Sequence, residues 1–331
     1  MINSKIETHK FTSTALKGNY LNDPISRSLP VYLPEAYFKS KSTRFPVVYY
    51  LAGYASRGVS MMNQIPWGET INQQLDRLID TGICVPMIMV LPDCFTRLGG
   101  SQYINSQGTG NYEDYLLEIV DFVDENYRTQ AENSHRAVAG KSSGGFGAMY
   151  LGMRHPETFG IVLDHSGDKF FEACYYPDLL RLPNLLASND LKKMIRDPYS
   201  YEKKTGDFFQ LMNLSAMAAC YSPNPENPNG FDWPVDPYTA ELREDVWSRW
   251  LQYDPVRLLD TYEDNLRSLK LLYFDCGGSD EYFLHLGARR MHRMLDTHGI
   301  PHHYEEFDGG HRHTRFRMDT HLKTISSAFS E

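Results

Sequence analysis

Along the first 167 positions the apolar residues follow two rhythms. Short unbroken runs, Val47 to Leu51 and Met87 to Leu91, read as strands, the first of them buried on both faces. Between and after them, Thr70 to Ile79 and Tyr112 to Val123 read as helices. The second has Tyr112, Tyr115, Leu116, Ile119, Val120 and Val123 at the three-and-four spacing of a single buried face. Arg136 to Ala139 follows as a strand, Gly144 to Arg154 as a helix and Ile161 to Leu163 as a strand. Strands alternating with helices predict an α/β fold: a mainly parallel central sheet with helices on both faces.

The rhythm breaks between Asp168 and Asn265, which hold nine of the 18 prolines and three of the four tryptophans. This stretch reads as an insertion, and the proline-rich run Ser222 to Pro237 as an irregular surface loop, because proline lacks the backbone donor and breaks helices. Alternation then resumes with a strand at Leu269 to Phe274. A helix carries Leu284, Ala288, Met291 and Leu295 on one side, and a strand at His302 to Phe307 precedes a last helix near the end. The expected organisation is a core in two parts, residues 1–167 and 266–331, with residues 168–265 forming a cap.

Composition narrows the function. A 41% hydrophobic and 23% charged chain of 331 residues has the make-up of an ordinary globular protein. Its net charge of −9 has the wrong sign for gripping a phosphate backbone, so nucleic acid is not an expected partner. The longest apolar stretch, Cys84 to Leu91, is far short of the roughly 20 residues of a spanning helix, so no membrane partner is expected either. The polar start, Met1 to Lys10, lacks the apolar run of a secretory signal. The five cysteines are widely spaced without any C-x-x-C. Both features point to a cytoplasmic location.

The first candidate chemistry is Gly140-Lys141-Ser142-Ser143-Gly144. It fits G-x-S-x-G, and it lies where a strand gives way to a helix, the setting that motif needs. A serine on so sharp a turn is held out toward substrate, and glycines at 140 and 144 remove side chains that would collide. The turn also aims the Ser143 N–H and the following helix N-terminus at a developing oxyanion. Gly140-Lys141-Ser142 is not the end of a phosphate-binding loop, which would need glycine where the chain has His135.

A serine nucleophile needs a base and an acid, which, where the serine sits on such a strand-to-helix elbow, follow it in the order Ser, Asp or Glu, His on loops after late strands. The chain supplies Asp275-Cys276-Gly277-Gly278-Ser279-Asp280 and then Asp308-Gly309-Gly310-His311. Asp280 is the expected acid and His311 the expected base, with Asp275 and His313 as rivals. A second oxyanion donor is expected from Ala52-Gly53-Tyr54, at the Tyr54 N–H. Trp233, Trp247 and Trp250 either stack on an aromatic substrate in the pocket or form the insertion's own core. The histidines His298, His302, His303, His311 and His313 do not read as a metal site, since adjacent residues of a strand face opposite sides. Neither a metal nor a cofactor is expected.

Phe45 to Gly53, Gly110 to Tyr115, Ala139 to Ala148 and His155 to Phe159 resemble the Putative esterase family of α/β-hydrolases, as do Gly277 to Asp280 and Gly309 to His311. That family takes in esterase D, feruloyl esterases, enterochelin esterases and mycolyltransferases. The resemblance implies the triad Ser142, Asp280 and His311, with Tyr54 and Ser143 as oxyanion donors. Ala52 to Gly58 lacks the cysteine of the esterase D loop, which argues against glutathione thioesters. The expected function is a serine carboxylic-ester hydrolase forming an acyl-enzyme on a small or aromatic acyl ester. Rivals are an acyltransferase with the same triad and a catalytically silent binding protein. A small-molecule ester is the expected partner, and a homodimer is compatible with the sequence.

Overall fold

The computed structural model describes residues 4–64 and 66–331. Eight strands form one sheet. They are β1 (Lys5–Thr12), β2 (Ser26–Leu33), β3 (Val47–Leu51), β4 (Ile88–Val90), β5 (Arg136–Lys141), β6 (Ile161–His165), β7 (Leu271–Gly277) and β8 (His303–Phe307). Their order across the sheet is β1-β2-β4-β3-β5-β6-β7-β8. From β4 to β8 every pairing is parallel; β1 with β2 and β2 with β4 are antiparallel.

Each face of the sheet has its own core, and the period of two along a strand decides which residue joins which. Val47, Tyr49 and Leu51, with Val138, Val162, Leu272 and Phe274, face helices Tyr112–Asn126, Ser143–Arg154 and Leu284–Thr297. Val48, Tyr50, Ala137, Ala139, Ile161, Leu163 and Tyr273 face helices Ile71–Asp80 and Arg317–Ser330. Two covered faces account for the unbroken apolar runs that marked these strands in the sequence.

The hairpin β1–β2 departs from the expectation. Strand β1 is largely exposed along its length and shows no apolar alternation, and β2 carries Pro30, so neither left a legible pattern. Residues 168–265, between β6 and β7, are mostly helical, their longest element being Gly206–Tyr221. The run from Ser222 to Pro237 is irregular, as expected, but it does not lie wholly at the surface. Phe231, Trp233 and Val235 are buried. No helix among the described residues is long and apolar enough to cross a membrane.

The site's position follows from this topology. The chain leaves β3 for β4 on one side and then crosses to β5 on the other. In parallel sheets, ligands bind beyond the carboxyl ends of strands at such a reversal. Those ends are Leu51, leading into Ala52-Gly53-Tyr54, and Lys141, leading into Ser142.

Candidate active site

Ser142 is the hinge between β5 and helix Ser143–Arg154, with φ 58° and ψ −123°. A non-glycine residue in that region is strained and persists only where its surroundings impose it. The imposition is visible in the glycines. A Cβ on Gly140 would lie 2.3 Å from the Gly144 carbonyl oxygen, and one on Gly144 would lie 2.2 Å from that of Leu51. The Ser142 N–H donates to His165 O at 2.9 Å and its carbonyl accepts from the Phe146 N–H at 2.9 Å, so both sides of the turn are pinned.

Three loops meet at this serine. His311 Nε2 lies 3.0 Å from Ser142 Oγ, and His311 Nδ1 lies 2.8 Å from Asp280 Oδ2. A carboxylate only accepts, so Nδ1 carries the proton and Nε2 accepts from the serine hydroxyl. Asp280 is buried, and its other oxygen accepts from the Tyr282 N–H at 2.9 Å. Burial works against its charge, but the hydrogen bond and charge of His311, together with nearby backbone N–H groups, outweigh that and hold its carboxyl below the ordinary value. Glu281 fixes the base loop from beside the acid, accepting from the His311 N–H at 2.6 Å.

Neither rival is hydrogen-bonded to the Ser142–His311 pair. His313 is exposed, and Ser142 Oγ is bonded to His311 instead. Asp275 points into a buried network. It accepts from His165 Nδ1 at 2.6 Å, His321 Nε2 at 2.8 Å and Arg317 Nε at 2.9 Å. Burial opposes its ionisation, yet the two histidines hold it well below the usual carboxylate range. Burial also pushes His165 down, toward the neutral imidazole. His165 Nε2 in turn meets Thr314 Oγ1 at 2.8 Å, to which Lys141 Nζ donates at 2.8 Å. The ligand atoms of His165, Asp275 and His321 are close enough to hold an ion. The Arg317 guanidinium already supplies positive charge there, however, and both Asp275 oxygens have donors, so the set fits a hydrogen-bonded network better than a cation. His292, Asp296 and His302 also converge, although His292 Nδ1 and His302 Nε2 face each other at 2.8 Å.

The loop after β3 presses on the serine turn. A Cβ on Gly53 would lie 3.6 Å from Ser142 Cβ and 3.3 Å from Lys141 O. The Ala55 N–H is taken by Gly99 O, whereas among the described residues those of Tyr54 and Ser143 go to no backbone carbonyl. The Tyr54 phenol is anchored away from the serine, donating to Leu98 O at 2.8 Å.

A cavity of about 1340 Å³ opens on Ser142, Ser143, Tyr54 and His311. Residues 168–265 supply one wall, including Tyr175, Asp178, Arg181, Phe209 and Gln210. Trp233, Trp247 and Trp250 are not part of it, which corrects the pocket expectation. All three are buried in the core, Trp250 Nε1 donates to Ser222 Oγ at 2.8 Å, and the Trp247 and Trp250 rings pack 5.9 Å apart. Of the two roles open to them, the structure gives them the packing one. Sequence reasoning missed Glu281, Gln102 and Asp168. No motif surrounds the last two, which sit in irregular segments and reach the cavity only through the fold.

The family model described as Putative esterase matches residues 20–322. An endo-1,4-beta-xylanase/feruloyl esterase of Xylanibacter ruminicola is 32% identical over 134 residues, covering 39% of this chain and 18% of that protein. An esterase of Mycobacterium tuberculosis is 25% identical over 248 residues, covering 71% of this chain and 44% of the relative. The chain therefore spans less than half the length of either. Among solved structures, a ferulic acid esterase superposes with a TM-score of 0.63 at 21% identity, over 99% of this chain and 100% of the other. An S-formylglutathione hydrolase of Staphylococcus aureus does so with a TM-score of 0.60 at 16% identity, over 98% and 99%. At such identities the likeness is one of fold, and the fold is that of the α/β-hydrolases. Together with the match over most of its length, it follows that the chain belongs to the Putative esterase family.

Proposed function

We propose that the protein is a serine carboxylic-ester hydrolase that works through an acyl-enzyme. The observation that carries this reading is the unbroken hydrogen-bonded path from Asp280 through His311 to Ser142 Oγ, at 2.8 and 3.0 Å, ending on a strained turn at the cavity. In the proposed reaction Ser142 Oγ attacks the ester carbonyl as its proton passes to His311 Nε2. Asp280 holds the imidazole in the required tautomer and stabilises the imidazolium. The carbonyl electron pair becomes an oxyanion that the Tyr54 and Ser143 N–H groups receive, aided by the positive end of helix Ser143–Arg154. Collapse breaks the bond to the alcohol, which leaves with the proton from His311. Water repeats the sequence on the acylated serine and releases the acid.

Support for an ester comes from family membership and from relatives named esterase and feruloyl esterase. The cavity admits an acyl group as large as an aromatic ring. A panel of p-nitrophenyl acyl esters, feruloyl esters and siderophore esters tests the reading, assayed with the wild type and Ser142→Ala. The variant should lose about 10⁴-fold or more in kcat on every ester that the wild type turns over. A fluorophosphonate should label the wild type at Ser142. Retained turnover in the variant would remove the nucleophile assignment. Product that goes preferentially to an added alcohol over water would make the protein an acyltransferase.

A further inference from the structure

Beside Ser142 the cavity has a polar floor that the reaction leaves unused. Ser143 Oγ donates to Gln102 Oε1, and Gln102 Nε2 points the other way. It lies 2.9 Å from Asp168 Oδ2, 2.9 Å from Tyr175 Oη and 3.0 Å from Tyr221 Oη. The Tyr175 hydroxyl also donates to Asp168 Oδ2, at 2.8 Å. The amide orientation is therefore fixed: reversing Gln102 would set its carbonyl oxygen against a carboxylate. One oxygen of Asp168 thus takes two donors. The other, Oδ1, takes none among the described residues, and Asp168 lines the cavity together with Gln102, Ser142, Ser143 and Tyr175.

A carboxylate in this position is built for a ligand. Gln102 and Tyr175 hold it in place, so a ligand binding there finds an acceptor already oriented. Burial raises its pKa, with Gln102 and Tyr175 pulling against the rise, so a further donor would relieve a group short of solvation. We propose that Asp168 Oδ1 accepts a hydrogen bond from a free hydroxyl of the substrate, and that the enzyme selects esters bearing such a hydroxyl on the part lodged beside Gln102. The inference rests on the ester-hydrolase reading and adds to it the polarity of the substrate. Asp168 is a specificity-determining residue in this scheme and takes no part in bond making.

The hydroxyl can belong to the acyl part or to the alcohol part, and paired esters separate the two. The acyl pair is methyl 4-hydroxycinnamate and methyl 4-methoxycinnamate. The alcohol pair is 2,3-dihydroxypropyl cinnamate and its dimethyl ether. The wild type should favour the hydroxylated member of one pair by on the order of 10- to 100-fold in kcat/KM, the effect of one hydrogen bond to a charged acceptor. In Asp168→Asn the fixed donors of Gln102 and Tyr175 claim the amide oxygen, which turns the NH₂ toward the cavity and replaces an acceptor with a donor. The preference should then vanish or invert.

Equal rates within both pairs in the wild type, or a preference that survives Asp168→Asn, would overturn the inference. The ester pairs alone decide the matter if the variant is unstable. Binding of the same esters to Ser142→Ala, followed by calorimetry, reads recognition without turnover. The hydroxylated member should bind about 10-fold or more tightly there as well. Discrimination in binding with no turnover by the wild type would count against the hydrolase reading and not against Asp168. Normal turnover without discrimination would do the reverse.

Discussion

At the scale of single residues, the chain contains two aspartates that a sequence cannot tell apart by spacing alone, and their surroundings assign them different work. Asp280 gives one oxygen to His311 and the other to a backbone N–H, whereas Asp275 is saturated by His165, His321 and Arg317. Asp280→Asn should therefore lower kcat by about 10³- to 10⁴-fold with little loss of stability, because the amide supports the wrong tautomer. Asp275→Asn should instead remove the charge that His165, His321 and Arg317 share in a buried network and cost about 3 kcal/mol of stability. Steady-state kinetics and urea unfolding of both variants check this; a kcat loss confined to Asp275→Asn would reverse the assignment. Ser142 and His311 were legible because glycines flank them at strand ends, and glycine there has a steric meaning. Gln102 and Asp168 were not, since a polar residue in an irregular segment looks the same whether it faces solvent or a cavity.

At the scale of elements, the strand-turn-helix unit is a close-packed object whose tolerance can be read from distances. With 2.2 Å between a Cβ on Gly144 and the Leu51 carbonyl, Gly144→Ala must push the helix off β3. It should destabilise the protein by about 1–3 kcal/mol and slow phosphonate labelling of Ser142 at least 10-fold under folding conditions. Unfolding midpoints and labelling rates test the two effects separately. The tryptophans between β6 and β7 make the contrasting case. Trp250→Phe removes the Nε1 donor to Ser222 and part of a fully buried ring, so a loss of about 1–3 kcal/mol is expected, with the order of ester preferences unchanged. A reordered preference would return that ring to the pocket. The parallel strands were legible because burial on both faces makes them apolar throughout, but the hairpin β1–β2 lies at the sheet edge, where one strand is largely solvated and the other carries a proline. The short helices between β6 and β7 escaped for a related reason: several span only four to eight residues, too few turns for a three-and-four spacing to register.

At the scale of the whole molecule, the network around Asp275 joins parts of the chain that the sequence keeps far apart. Asp275 lies in β7, His165 ends β6, Arg317 and His321 belong to the last helix, and Thr314 precedes that helix on the segment that follows His311. Lys141, next to the serine, closes the circuit through Thr314. Its acid response has a definite sign. The folded protein holds the Asp275 carboxyl below its ordinary value, so the carboxylate's contribution to stability is complete above about pH 4, where the unfolded chain is also ionised. Below that pH the unfolded chain binds a proton that the folded chain refuses, and the contribution drains away as pH falls toward the folded value. Buried carboxyls such as Asp168 and Asp254 respond the opposite way, since burial raises them and the folded state takes up protons first. The total pH profile therefore mixes both signs, and the informative quantity is a difference. The stability gap between wild type and Asp275→Asn should be widest near pH 7, at about 3 kcal/mol, and should narrow steadily as pH falls from 4 to 3. Urea titrations of both proteins at pH 7, 5, 4 and 3 measure it. A gap that stays constant across that range would mean that the network is held by packing, with the Asp275 charge contributing nothing to it.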